Sequence, residues 1–591
     1  MVFKIIHYIL WRPKFWINFI NLILIRPVRI RYRIHRYGVY SKLYYPDLIF
    51  NKCKLIKPEN CIDIPKIWSF FNVNIKDKDK SKFEINCAGS IINVDQIHTF
   101  WSKNSTDDID IEIIHSSHRF HWLVEGVSSG ISEGEMRIMF NSINSWLDNF
   151  EGVYNGVAWH PYNVSERLCN WIVLWQIADS KNQLPIFRKK LLHSIQEHAL
   201  FLSKTLEYPA SGVINNHIIN NARALYISGF FLNNMNVSDL GRELFTLHLP
   251  NIVSEKGYLL ESSFHYQLLL TRSILEVHRI ASEYNDSRFY IWIGGFARSM
   301  LEACQNTIPK DLSSLDHMPR IGDVSPDTPF VWFSPISDRL NANWNALWGI
   351  STHYDTDDLT NENNGWVLIN KSGWSIVAYT HPDRRQYPSG HGHNDYGSFC
   401  LYHAGYPIFI DVGRFSYDSN NGKDYGTKSE SHGALLIDSQ DVLFSGQGVA
   451  SILSAESVKH TNFYIDDNNS PIWKVVRPNK QEWTRKIKID SESHIIISDR
   501  INFSKTVKGI FNIHPDTIAE KVNSQSIRLL FSNYQCSITF SKVKNLYIEK
   551  SDFFPNYGKK ENSKRIVWFW SNSDHTTPYQ CTIQVEIIEL K

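Results

Sequence analysis

The spacing of apolar residues divides the chain near residue 310. Before that point apolar positions recur three and four apart, which predicts amphipathic helices. The run 165–180 (SERLCNWIVLWQIADS) predicts a helix with Ser165 as its N-cap. Leu191, Leu192, Ile195, Ala199 and Leu202 form one helical stripe; Ile218, Ala222, Leu225, Gly229 and Leu232 form a second; Tyr266, Leu270, Ile274, Val277 and Ala281 form a third. Short polar links between such stripes predict helical hairpins packed side by side. Residues 307–345, rich in Pro, Asp and Ser, read as a linker.

From about residue 366 the pattern is short apolar runs broken by turn residues, which predicts strands. GWVLINKSGWSIVAYT reads as a hairpin about Lys371-Ser372-Gly373, and SFCLYHAGYPIFIDVG as another about Ala404-Gly405-Tyr406-Pro407. Comparable runs at 433–446, 483–501 and 525–542 continue to the C-terminus with no helix-length segment between them. The expected fold class is multidomain, α then β, with the second half antiparallel and stacked in sheets.

Composition narrows the function without naming it. The 591 residues suit two or three domains, and 43% hydrophobic with 21% charged residues is a globular balance. A net charge of +2 supplies no global field for nucleic acid, so a polyanionic ligand would have to meet a local basic cleft. The eight cysteines are scattered, with no C-x-x-C, which argues against a zinc ribbon or a dense disulfide framework. Residues 1–80 begin with an apolar, basic stretch that Arg12, Pro13 and Lys14 interrupt. It matches neither a standard signal peptide nor a full membrane span, and reads first as an amphipathic helical arm packed on the body. Peripheral membrane contact through that arm is the second reading. Without a clear signal peptide the sequence-based expectation is a cytoplasmic location.

Three places concentrate polar chemistry. In GVINNHIINNARAL, Asn215 is a natural N-cap, and a helix start beside Asn216 and His217 offers N–H groups to a carboxylate and lowers a nearby imidazole's pKa, leaving it ready to accept a proton. In YLLESSFHYQLLL, Tyr266 falls on the apolar helix face, among Glu261, Ser263, His265 and Gln267. The third is GHGHND at 390–395. There His391, His393 and Asp395 share a face if the segment is extended, with Asp411 ending the next apolar run and His432 in SESHGALLID. Two histidines and a carboxylate suit zinc, but a regular hairpin pairs Asp411 with about Cys400, so the segment must curl back for His393 to join it.

In this order, an Asn-His helix start, E-x-S-x-x-Y, H-x-H-x-D before YPIFIDVG, and His432 before a short strand, the chain resembles the heparinase II/III family of polysaccharide lyases. WHPYNVSERLCNWI at 159–172 is similar to a further motif of that family, and the likeness spans about residues 115–450. The resemblance implies an incomplete (α/α) toroid over 81–345 followed by an antiparallel β-sandwich domain over 346–591, with the cleft between them. It implies β-elimination on a uronic-acid-containing polysaccharide. Asn216 would neutralise the uronate carboxylate, with His217 beside it as candidate base; Tyr266 would transfer a proton and His391 work with it. His393, Asp411 and His432 would hold zinc, mainly structural, with Asp395 orienting a ligand histidine. Arg167 and Glu261 would bind substrate. The chain departs from the family pattern at Gln267 and Gly433. These departures keep two other readings in view, a non-catalytic glycan-binding or assembly protein and a zinc-dependent glycan hydrolase. The missing signal points to handling of the cell's own capsule or lipopolysaccharide, and the family's habit points to the periplasm.

Overall fold

A computed structural model of the chain describes residues 84–101, 109–123, 132–208, 214–309, 311–328, 333, 359–382, 391–418, 425–440, 461–477, 480–571 and 578–590. The arm expected over 1–80 lies outside these residues.

After a small hairpin, β1 (Glu84–Cys87) and β2 (Ser90–Asn93), the first half is helical: α1 (Ile97–Trp101), α2 (Ile111–Arg119), α3 (Glu133–Phe150), α4 (Pro161–Ser180), α5 (Arg188–Lys204), α6 (Asn216–Phe231), α7 (Met235–Ile252), α8 (Phe264–Glu283) and α9 (Ser287–Gln305). The predicted stripes fall on α5, α6 and α8, with Leu232 of the second as the C-cap of α6. Helix α4 starts four residues before the expected Ser165 cap, because Pro161 sits at its first position, where a missing N–H costs nothing. Ser165 is instead inside the helix, donating to Pro161 O at 2.9 Å and accepting from Asn221. Helix α6 is buried on nearly every side, packed among α4, α5, α7 and α8. Its buried Asn216, Asn220 and Arg223 therefore need protein partners or a ligand.

The second half is antiparallel β. A five-stranded sheet runs in sequence order from β3 (Thr360–Asn363) through β4 (Trp366–Lys371), β5 (Trp374–Tyr379) and β6 (Cys400–His403) to β7 (Tyr406–Phe409). Further strands follow: β8 (Leu435–Ile437), β9 (Thr461–Ile465), β10 (Pro471–Val476), β11 (Glu482–Ser491), β12 (His494–Ile501), β13 (Thr506–Ile513), β14 (Ile518–Lys521), β15 (Ser526–Leu530), β16 (Tyr534–Phe540), β17 (Asn545–Phe553), β18 (Glu561–Ser571) and β19 (Tyr579–Glu589). They form a four-stranded sheet, β17-β18-β13-β8, and an eight-stranded sheet, β14-β15-β16-β19-β12-β11-β10-β9.

The first predicted hairpin turns at Ser372-Gly373, both with φ near +50 to +80° as a two-residue turn requires. The second turns at Ala404-Gly405, two residues rather than the expected four, and a bulge at Leu401/Tyr402 shifts the register beyond it.

Strands β4 to β6 read as unbroken apolar runs because both faces are covered. Trp366, Leu368, Val377, Tyr379, Cys400 and Tyr402 belong to the core of the helical half. Val367, Ile369, Trp374, Ile376, Ala378 and Leu401 belong to the core of the β half.

The stretch expected as a linker is a packed joint where it is described. Phe264 N–H donates to Ile321 O at 3.0 Å, Ser263 Oγ to Asp323 O at 2.7 Å, and Asp323 N–H to His391 O at 2.9 Å. Arg320, Asp323, Ser325 and Asp327 are buried. Its polar residues pair with both halves, so the composition that suggested a solvated linker serves an interface.

Candidate active site

Two helix starts and one irregular loop converge between the halves. At the start of α6 Asn215 caps as expected, its Oδ1 accepting from His217 N at 3.2 Å. Asn216 is gripped by Glu261, which accepts its backbone N–H at 2.7 Å and its Nδ2 at 2.6 Å. At the start of α8 Ser263 caps by accepting from Tyr266 N at 3.2 Å, which aims the Tyr266 ring out of the helix toward the joint.

From the β side His391 lies flat on Tyr266, with ring centroids 3.6 Å apart and 13° between planes. His391 Nδ1 is 3.0 Å from Asp323 Oδ2. A carboxylate only accepts, so Nδ1 carries a proton, while Nε2 faces Asn216 Nδ2 at 3.3 Å and Glu261 Oε2 at 3.5 Å. His393 Nε2 binds the other oxygen of Asp323 at 2.7 Å, and Arg414 Nη1 donates to both, at 2.8 and 3.0 Å. Burial raises the Asp323 pKa, but the hydrogen bonds from His391 and His393 and the Arg414 charge outweigh it and hold the carboxyl far below the usual range. Gly322, at φ +79°, makes this approach physically feasible. A Cβ there would lie 2.5 Å from Ser262 O and 2.9 Å from His391 O.

Tyr266 is buried, and its hydroxyl is 2.5 Å from that of Tyr417. The Tyr417 hydroxyl has one hydrogen, directed at Val324 O (3.3 Å), so Tyr266 is the donor of the pair. Burial pushes the Tyr266 pKa well up, so it stands as a neutral acid. Tyr162, Asn216, Arg223, Tyr266 and Arg272 line a narrow cleft beside it.

The structure corrects several expectations. For His217, burial lowers the pKa, but Glu207, 2.6 Å from Nδ1, outweighs burial and the helix start and raises it. His217 is therefore biased toward the cation and away from the role of base. Arg167 does not reach the cleft. It is wholly buried against Trp146, Trp159 and Trp171, and it donates to His198 Nε2 and to the carbonyls of His118 and Ala158. Glu261 spends both oxygens on Asn216 and so positions that residue rather than binding substrate. Asp395 pairs with His381 Nε2, not with His393 or His432. The 391–399 segment is not an extended strand, and of the expected trio only His391 and His393 face a common partner, Asp323.

The predicted zinc set is partly assembled. His432 Nδ1 lies 2.9 and 3.1 Å from the two oxygens of Asp411, and the His393 ring centroid is 5.2 Å from that of His432. Two imidazoles and a carboxylate fit zinc in type. The three ligand atoms do not all come within 4.8 Å of one another, a grouping met among the described residues by His317, His514 and Asp516. A metal held by His393 would take Nδ1, since Nε2 is on Asp323.

Four residues of the site escaped the sequence reading: Asp323, Arg414, Tyr417 and Glu207. A buried acid flanked by Ile321 and Val324, and an arginine three residues after Asp411, were the available signals.

Residues 359–579 match the family model described as heparinase II/III-like, C-terminal. A heparin-sulfate lyase of Bacteroides thetaiotaomicron is 21% identical over 410 residues, covering 61% of this chain; the chain spans 58% of that relative's length. Among solved structures, one of heparinase III superposes with a TM-score of 0.66 at 14% identity, over 92% of this chain and 87% of the other. A mutant heparan sulfate lyase of Pedobacter heparinus gives 0.56 at 14% identity, over 94% and 88%. These likenesses establish the shared fold, helices followed by antiparallel sheets.

Proposed function

We propose that the chain is a lyase of the heparinase II/III type, on the match of residues 359–579 and the shared fold, and that its cleft cleaves a uronic-acid-containing polysaccharide by β-elimination. The observation that carries this reading is the Tyr266–His391 stack, with ring centroids 3.6 Å apart and Asn216 Nδ2 beside the imidazole. The names of the relatives support an acidic glycan of the heparin class.

The reaction needs three things, and each has a residue. The proton α to the uronate carboxylate is weakly acidic until that carboxylate's charge is neutralised. Asn216, its amide held by Glu261, and His217, biased toward the cation by Glu207, supply that neutralisation. His391 Nε2 takes the proton from C5, the C4–O bond breaks as the C4–C5 double bond forms, and the Tyr266 hydroxyl protonates the leaving glycosidic oxygen. Asp323 holds the imidazole in the required tautomer throughout.

Zinc at His393, Asp411 and His432 would cross-link the loop bearing His391 to the β half; its chemistry there would be structural. Handling of the cell's own capsule or lipopolysaccharide is the biological setting we favour.

The test is the ultraviolet absorbance of the unsaturated uronate on incubation with heparan-type and capsular polysaccharides. The expected outcome is a rise with at least one uronate polymer. No rise across the panel, with glycan binding retained, would replace the lyase by a glycan-binding protein.

A further inference from the structure

We propose a second metal site, outside the cleft, formed by His317, His514 and Asp516, that takes a zinc-type divalent cation and clips the joint between the halves to the β domain. His317 stands in the short 3₁₀ turn Leu315–His317 of the joint; His514 and Asp516 directly follow β13. Their ligand atoms all lie within 4.8 Å of one another, and the two imidazole rings meet edge to face with centroids 4.7 Å apart.

The hydrogen bonds around His317 select a ligating tautomer. Ser313 Oγ has one hydrogen, which it donates to Gly405 O at 2.9 Å. Its 2.7 Å bond to His317 Nδ1 is therefore donated by the imidazole, which leaves the lone pair on Nε2. This is the outer support that metal-bound histidines characteristically have. His514 is buried; its Nδ1 accepts the Asp516 N–H at 3.3 Å and lies 3.5 Å from Asp516 Oδ2. Its Nε2 has no hydrogen-bond partner among the described residues. A buried ring with an unused nitrogen is costly unless something occupies the site.

Two imidazoles and one carboxylate leave a fourth position for water, and they favour zinc over calcium or magnesium. Asp516 is exposed, so its side chain can turn inward to close the shell. The site sits six residues before Asp323 on the same segment, so an ion there would fasten the strand of chain that holds His391.

The experiment uses the full chain, stripped with chelator and titrated with Zn²⁺ and, separately, with Co²⁺. His317→Ala and Asp516→Ala are compared with wild type and with His393→Ala. The wild type should retain one zinc equivalent more than either His317→Ala or Asp516→Ala. Its Co²⁺ form should show a tetrahedral visible band that those two variants lose and His393→Ala keeps. Ser313→Ala should weaken zinc binding about 10–100-fold, the usual effect of removing a ligand's outer support. His317 and Asp516 are partly or fully exposed, so both variants should fold, checked by circular dichroism of the stripped proteins. Equal zinc content and an unchanged Co²⁺ spectrum in His317→Ala and Asp516→Ala would overturn the proposal, whatever His393→Ala does.

Discussion

Asp323 and Glu207 each hold a histidine at the same cleft, yet in opposite settings. Asp323 is buried, and its two oxygens receive His391, His393 and Arg414. Its charge is permanent at any physiological pH, so it fixes geometry. Glu207 is only partly covered and meets His217 at 2.6 Å and His160 at 3.7 Å. It lifts the pKa of its partner, so it sets charge. A buried, saturated carboxylate orients a reacting group, whereas a partly solvated one tunes a neighbour.

The most severe test removes the proton donor stacked on the histidine that Asp323 orients. Tyr266→Phe should lower kcat by about 10²–10⁴-fold, the usual weight of a proton-transfer group, with the melting temperature unchanged. A full rate in that variant would discard the assigned mechanism. Next is Asp323→Asn. It should cost roughly 10²-fold in kcat, and about 3–5 kcal/mol of stability in urea unfolding, because it strands Arg414 beside a buried amide. A stable, active Asp323→Asn enzyme would show that the carboxylate is dispensable.

Glu207→Gln should do much less at the pH optimum, a few-fold in kcat, and its mark should be on the pH profile. His217 has a raised folded pKa, so its pairing stabilises fully below the unfolded histidine value and is lost as pH rises through the lifted one. Glu207, lowered overall although burial alone would raise it, contributes above the unfolded carboxylate value and loses that as pH falls through its folded one. The pair therefore stabilises between those two limits. Glu207→Gln should flatten stability across that window and move the alkaline limb of activity to lower pH. An unmoved alkaline limb would separate His217 from the reaction. The smallest effect belongs to the proposed zinc at His393, Asp411 and His432. A chelator should lower the melting temperature, and His393→Ala should lower it similarly.

Much of this was legible along the chain. Periodicity placed α5, α6 and α8, and turn residues placed the β4–β5 hairpin, because those signals are local. Asn215 as cap, and the convergence of Asn216, Tyr266 and His391, followed from motif order. What failed was non-local. Ser165 as a cap lost to Pro161, a stronger start signal four residues upstream. Arg167 looked like a ligand-binding arginine because a linear string does not show that three tryptophans enclose it. Asp323 was hidden because a Pro- and Asp-rich stretch reads as solvated until the two surfaces it joins are known. His391, His393 and Asp395 do not form the common face expected of an extended run, because the segment is irregular and Asp323 takes both histidines.

The five-stranded sheet, with one face in each core, gives the architecture no natural cutting point. Excising either half would strip the tryptophans and leucines of β4 and β5 of their cover and leave an adhesive slab. The catalytic machinery is accordingly not a portable cassette. It cannot be grafted onto another scaffold by swapping the helical half, and heating should melt both halves in one cooperative step.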